Sequence, residues 1–307
     1  MGLAYASAHK PLHTRRQRLG YLAATVTVLI WAGFALSIRG IGQSPLLPAD
    51  VALLRFGVPA LLLLPFLPSR LGQLRRLNST AAAFILIGAG LPFFFLATLG
   101  GLRSSSAHVG ALIAGTVPVS VAVLGLLLLG HRIGKRTLPA LAMIVLGVVA
   151  LTWAAPAGDR GNLQQGVLLL LCASLLWAVY TLGLRTAALD PIACALLLSI
   201  PSFLVLALLC ATGLMQTTLL AQPLQEIAPF AVIQGLGVGV IASLAYAFAI
   251  QSIGAQQTAI FGSLAPALTT ALAVPLFGET ITPTLGLGVS AITCGVLLNA
   301  MMTPKGR

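Results

Sequence analysis

Trp177 and Tyr180 stand three residues apart in an apolar run, so a helix puts both rings on one face. Such a pair forms no bonds with a ligand; it offers faces on which an apolar or flat molecule can stack. Trp31 lies near the middle of an earlier run, and Tyr246 lies within a later one. Ordinary helix packing is the competing use for each tryptophan. Trp153, by contrast, sits at the end of its run and reads as an interfacial residue. Arg55 is the one clearly intramembrane cation: it suits a substrate carboxylate, or else it snorkels to the interface or pairs with a carbonyl or Asp50. His108 is the only histidine inside an apolar run and could carry a proton. Trp177, Tyr180, Trp31, Tyr246, His108 and Arg55 are therefore the candidate substrate-binding residues.

Catalytic constellations are missing. His9, His13, His108 and His131 are scattered, and no HExxH, GxSxG or paired intramembrane carboxylate occurs. Cys172, Cys194, Cys210 and Cys294 lie in apolar runs without CxxC spacing, which suits small buried residues better than a disulfide or a metal. No enzyme, cofactor or metal centre is expected. A channel would want a charged ring or a filter loop, and none is visible; a facilitative pore lined by small residues stays open as the alternative.

The elements that position these residues follow from composition. Hydrophobic residues make up 58% of 307 positions, charged residues 7%, and mean hydropathy is +1.03. A soluble domain carries about a quarter charged residues to solvate its surface, so this chain belongs in lipid. The formal charge of +12 falls in short clusters between apolar runs, which fits loop topology and not nucleic acid. Ten runs are long enough to span: 19–39, 48–68, 80–101, 105–129, 137–155, 164–187, 191–213, 227–252, 256–277 and 281–302. The first lacks an A-x-A site and reads as a retained helix. An all-α integral membrane protein is expected, because barrel strands would alternate in polarity.

Thirteen cations fall on one side: Lys10, Arg15, Arg16, Arg18, Arg70, Arg75, Arg76, Arg132, Lys135, Arg136, Arg185, Lys305 and Arg307. Arg39, Arg103 and Arg160 fall on the other. The richer side is expected to be cytoplasmic, with both termini inside. All five acids, Asp50, Asp159, Asp190, Glu226 and Glu279, lie at span ends or in loops. Without a buried carboxylate, a lipophilic cation is a poor cargo; neutral, zwitterionic or anionic cargo fits better.

The chain repeats itself. At a shift of 148, Pro118, Leu124, Leu128, Gly130, Ile133, Ile144 and Gly147 each meet an identical residue, Pro266 and Gly278 among them. At a shift of 146, "LIWAGFALSIRG" (29–40) answers "LLWAVYTLGLRT" (175–186). Residues 19–155 and 164–302 then form two five-span halves, flanked by a basic tail 1–18, a linker 156–163 and a tail 303–307. Five is odd, so the second half is inverted, as in secondary transporters. Pro118 and Pro266 are candidate paired hinges.

These duplicated signatures, with the two tryptophan motifs and "LLRFG" (53–57), resemble the EamA-type members of the drug/metabolite transporter superfamily over about residues 19–302. The resemblance implies a ten-helix basket of inverted repeats around a central cavity, exporting small metabolites across a bacterial inner membrane. "LLWAVY" is most similar to the aromatic amino acid exporter branch, which would make Trp177 a cavity residue. His131 departs from the glutamate usual there, while Glu279 keeps it, and "GTVP" stands where that branch would be aromatic-rich. Amino acid substrates, a lipid surround, no nucleic acid partner and a working monomer are the expectations.

Overall fold

A computed structural model describes residues 10–130, 133–153 and 160–302. His131, residues 1–9 and 303–307, and linker residues 156–159 lie outside the described residues. Among the described residues all regular structure is helical. Nine helices among the described residues are long and apolar enough to cross a membrane, and Leu138–Thr152 is a shorter apolar helix between the fourth and the sixth.

The first span is Lys10–Ile41, the second Pro48–Leu63 continued by Leu67–Arg75, and the third Ser79–Ala89 with Leu91–Gly101. The fourth is Ser106–Gly115 with Val117–Leu129, the fifth Leu138–Thr152, the sixth Arg160–Ala187 and the seventh Pro191–Ala211. The eighth joins Leu224–Phe230, a π-helical stretch Ala231–Ile241, and Ala242–Ile253. The ninth is Ala255–Gly262 with Ala265–Phe277, and the tenth is Pro283–Met302. Three expected boundaries move, the first being the end of the second span, which runs on from 68 to Arg75. The first helix extends back through the basic segment, where exposed Arg15, Arg16 and Arg18 prolong it in solvent. The sixth begins at Arg160, inside the expected linker.

The duplicated prolines mark real breaks. Pro118 and Pro266 each occupy the first turn of the second segment of their span, where a missing N–H leaves no bond unmade. Each of these segments ends on a left-handed glycine, Gly130 at φ 63° and Gly278 at φ 64°, the conformation that stops a helix with least strain in glycine. Pro275 lies inside the ninth span just before that stop.

Packing follows the repeat. The third span lies on the sixth and the first on the eighth; the second pairs with the seventh, the fourth with the ninth and the fifth with the tenth. Exchanging every span for its counterpart in the other half leaves this set unchanged, as an inverted repeat requires. The fifth–tenth crossing is symmetric down to side chains. A Cβ on Gly147 would meet Ile292 at 2.6 Å, and one on Gly295 would meet Ile144 at 2.7 Å. Small residues at such crossings let backbones approach, which is how helices associate in lipid.

Two acids tether the second and seventh spans at opposite ends. Asp50, in the first turn of the second span, is fully buried. Its carboxylate accepts from Leu47 N (2.8 Å), Thr218 N (2.9 Å), Thr218 Oγ1 (2.9 Å), Leu219 N (3.1 Å) and Thr217 Oγ1. It thereby holds the chain that leaves the seventh span. Asp190 caps the seventh span through Ala193 N (2.9 Å) and holds the far end of the second through Gln73 (2.8 Å) and Arg70 (2.7 Å). Burial by itself would raise the Asp190 carboxyl, but Ala193 N, Gln73 and Arg70 outweigh it and hold it below the ordinary carboxylate value.

Candidate functional site

Each signature tryptophan packs on an aromatic ring from the third span of the opposite half. Trp31 meets Tyr246 with ring centroids 5.1 Å apart, and Trp177 meets Phe93 at 5.2 Å. Trp177 also contacts Tyr180 at 4.9 Å, and Phe93 stacks on Phe34 at 6.2 Å. Two aromatic clusters result, Trp31 with Tyr246 and Phe34–Phe93–Trp177–Tyr180, and two cavities that share lining residues lie along them.

The larger cavity, about 420 Å³, is lined by Trp31, Trp177, Tyr180, Tyr246 and Arg55, and reaches Leu184, Leu189, Pro191 and Ile250. Those last residues are at the end of the bundle that carries Arg70 and Arg185. The smaller cavity, about 80 Å³, lies beyond the tryptophans against Phe34, Phe93, Gly110 and Thr269. Trp31, Arg55, Trp177 and Val238 line both, so they form the waist between them.

Arg55 is buried at that waist, 7% exposed. Its Nη1 donates to Gln234 Oε1 (2.9 Å), Gln234 Nε2 donates to Ser37 Oγ (2.7 Å), and Ser37 Oγ donates to the Phe34 carbonyl (2.8 Å). The guanidinium also lies over the Phe34, Phe56 and Phe94 rings at 5.1, 5.7 and 5.8 Å. Its Nε has no hydrogen-bond partner. Neither snorkelling nor pairing with Asp50 occurs, because Asp50 is engaged by Thr217, Thr218 and Leu219. Gln234 sits in the π-helical stretch, whose wider turn is a feature often found at functional sites.

His108 lines neither cavity. Its Nε2 faces the Leu151 carbonyl at 3.2 Å and its Nδ1 faces Ser105 Oγ at 2.7 Å. A neutral ring with hydrogen on Nε2 satisfies both, so the residue ties the fourth span to the fifth. At the wall of the smaller cavity the fourth and ninth spans approach closely: a Cβ on Gly110 would meet Thr269 at 2.9 Å. Glu279 Oε1 then accepts from Ser106 N (3.0 Å) and Ser106 Oγ (2.9 Å), with Arg39 Nε at 3.7 Å. The acid at the end of the ninth span thus caps the start of the fourth.

A family model for the EamA-like transporter family matches residues 18–153 and again 164–301. The chain belongs to the EamA-like transporter family. Both matches together span nearly all ten helices, so this EamA protein is a multi-pass membrane transporter built from two copies of one unit. No curated protein matches. Among 17 matching chains of solved structure, one crystal structure superposes with a TM-score of 0.60 at 20% identity, over 94% of this chain and 97% of that one. At that identity the likeness concerns the fold alone.

Several residues of the site escaped the sequence reading: Phe34, Phe93, Gln234, Ser37 and Ser199. Phe34 carried a usable signal, since it follows Trp31 by three residues and aligns with Tyr180 at the shift of 146. The others carry none that is local.

Proposed function

We propose that this EamA protein is an alternating-access exporter of amino acids with aromatic or other apolar side chains. Supporting this reading is the waist of the cavity, where Trp31 and Trp177 flank a buried guanidinium with an unpartnered Nε. Aromatic walls would take the side chain, and the guanidinium would take the carboxylate. The setting we propose is a bacterial inner membrane, with the arginine-rich face and both termini cytoplasmic and a monomer as the working unit. In that setting the larger cavity is open inward, and the Glu279 cluster closes the outer face. Pro118 and Pro266 serve as the paired hinges on which the fourth and ninth spans bend.

The test is flux of radiolabelled Phe, Trp, Tyr, Met and Thr into proteoliposomes. At least one is expected to move faster than in empty vesicles; failure of all five removes the amino acid reading. Trp177→Ala deletes ring contacts worth ~0.5–1.5 kcal/mol each, so kcat/KM for transport should fall about tenfold, roughly 1.4 kcal/mol, at unchanged expression. Unchanged flux would take Trp177 out of the site.

Glu279→Ala removes the charged acceptor of two hydrogen bonds, each worth ~1.5–3 kcal/mol to a charged group. The outer closure should loosen, and a cysteine replacing Ala114 in the smaller cavity should react about tenfold faster with an impermeant maleimide added outside. An unaltered labelling rate in a background lacking the native cysteines would detach Glu279 from the closure.

A further inference from the structure

The polar atoms along the cavity are unequally suited to the two ends of an amino acid. Among the described lining residues there is one cation, Arg55, and no aspartate or glutamate. Asp50, the nearest acid in sequence, is consumed by the segment that leaves the seventh span. Two lining residues each hold a buried polar atom without a hydrogen-bond partner: Arg55 Nε and Ser199 Oγ. The first can only donate and the second is free to, so both suit a carboxylate. The other serine and threonine hydroxyl hydrogens on the lining are already used, by Thr181 on the Trp177 carbonyl, Ser243 on the Val240 carbonyl and Thr269 on the Ala265 carbonyl, while the Tyr180 and Tyr246 hydroxyls can each donate as well as accept. An α-ammonium fares worse. It lies two bonds from the carboxyl carbon, so a carboxylate seated on Arg55 holds it near a like charge that no acid offsets. It must also leave water for a wall offering ring faces and hydroxyl lone pairs, without a carboxylate partner.

We infer that the cavity recognises the carboxylate of its substrate and does not recognise an α-ammonium, so that monocarboxylates with the same apolar body and no amino group are substrates of this protein in their own right. The inference rests on the reading of this cavity as the transport site. With such an anion aboard, the charge of Arg55 is balanced and the waist is electrically neutral. With an amino acid aboard, one positive charge remains uncompensated in the membrane interior.

The experiment uses the full chain and three probes with closely related bodies: 3-phenylpropionate, phenylalanine and 2-phenylethylamine. Binding in detergent is read from tryptophan fluorescence with Trp153 replaced by Phe, leaving Trp31 and Trp177 as reporters. Half-saturation by 3-phenylpropionate is expected at about tenfold lower concentration than by phenylalanine, a gap of roughly 1.4 kcal/mol, with 2-phenylethylamine weakest. Phenylalanine binding as tightly as 3-phenylpropionate, or more tightly, overturns the inference. Arg55→Lys should weaken 3-phenylpropionate yet keep the order, whereas Arg55→Gln should abolish the preference; a surviving tenfold preference in Arg55→Gln overturns the inference. If Arg55→Gln does not fold, Ser199→Ala decides: it should weaken 3-phenylpropionate several-fold and leave 2-phenylethylamine unchanged, and equal effects on both overturn the inference. Loss of phenylalanine flux with 3-phenylpropionate binding intact removes the amino acid reading alone. Phenylalanine flux with the reverse binding order removes this inference alone.

Discussion

Gly88→Ala is expected to leave little folded protein, although it adds a single methyl group. The third span crosses the sixth here so closely that a Cβ would stand 2.6 Å from the Leu176 carbonyl oxygen and closer still to the Tyr180 backbone nitrogen. Both obstacles are backbone of a helix, so no side chain can rotate away. Overpacking an ordinary core costs about 1–3 kcal/mol, and a clash between two backbones belongs at or above the top of that range. The turn that must move is the one carrying Trp177, so transport should fail in whatever protein remains. Size-exclusion recovery and a thermal melt in detergent measure the first effect, and flux per folded molecule the second. Gly72→Ala is the matched control. Gly72 is exposed with nothing within 4 Å, and replacing a helical glycine by alanine there should gain about 0.5–1 kcal/mol. Wild-type behaviour of Gly88→Ala would refute the tight crossing.

What could be read from the sequence, and what could not, divides by the range of the interactions. Span number and the inverted repeat came from composition, run length and parity, which are local or additive properties. Pro118 with Pro266 and Gly130 with Gly278 located two helix starts and two helix stops, because proline and glycine act on their own backbone. Gly147 and Gly295 recurred because one crossing uses each against the other's half. Asp50 was legible only as an acid at a span end. Four of its five donors lie 167 to 169 residues away, and no spacing rule reaches that far. Gln234 was missed for the same reason, since its value lies in Arg55 and Ser37 on two other spans. His108 shows the reach of tertiary partners too: its place in a span is legible, but Ser105 and the Leu151 carbonyl on its two nitrogens are not.

The two acid tethers occupy corresponding places in the two halves, yet they should respond very differently to mutation. Asp50→Ala strips the acceptor from five donors in a fully buried setting, and each buried group left unsatisfied costs about 1–3 kcal/mol. Water entering the gap will recover part of that, so a net loss of about 3–5 kcal/mol is expected, as for other broken buried charges. Asp190→Ala removes a helix cap worth about 1 kcal/mol. Its ion pair adds little, because both partners remain partly exposed, Arg70 at 27% and Asp190 at 32%. The Asp190 contribution is complete above the ordinary carboxylate range and disappears only as pH falls through its lowered value, so at neutral pH the comparison is unaffected by titration. Thermal melts of the two variants should therefore separate clearly, with Asp50→Ala the lower; equal melts would show that burial does not set the difference. The contrast has a mechanical meaning. The larger cavity reaches Leu189 and Pro191, the neighbours of Asp190. A weak, partly exposed tether stands beside the lining of that cavity, while a buried one fixes the second and seventh spans at the opposite end, the end shut in the inward-open setting we propose. Weakening the buried tether should therefore loosen the closed end before it disturbs the open one, and thiol labelling from the two sides of the membrane can read that order directly.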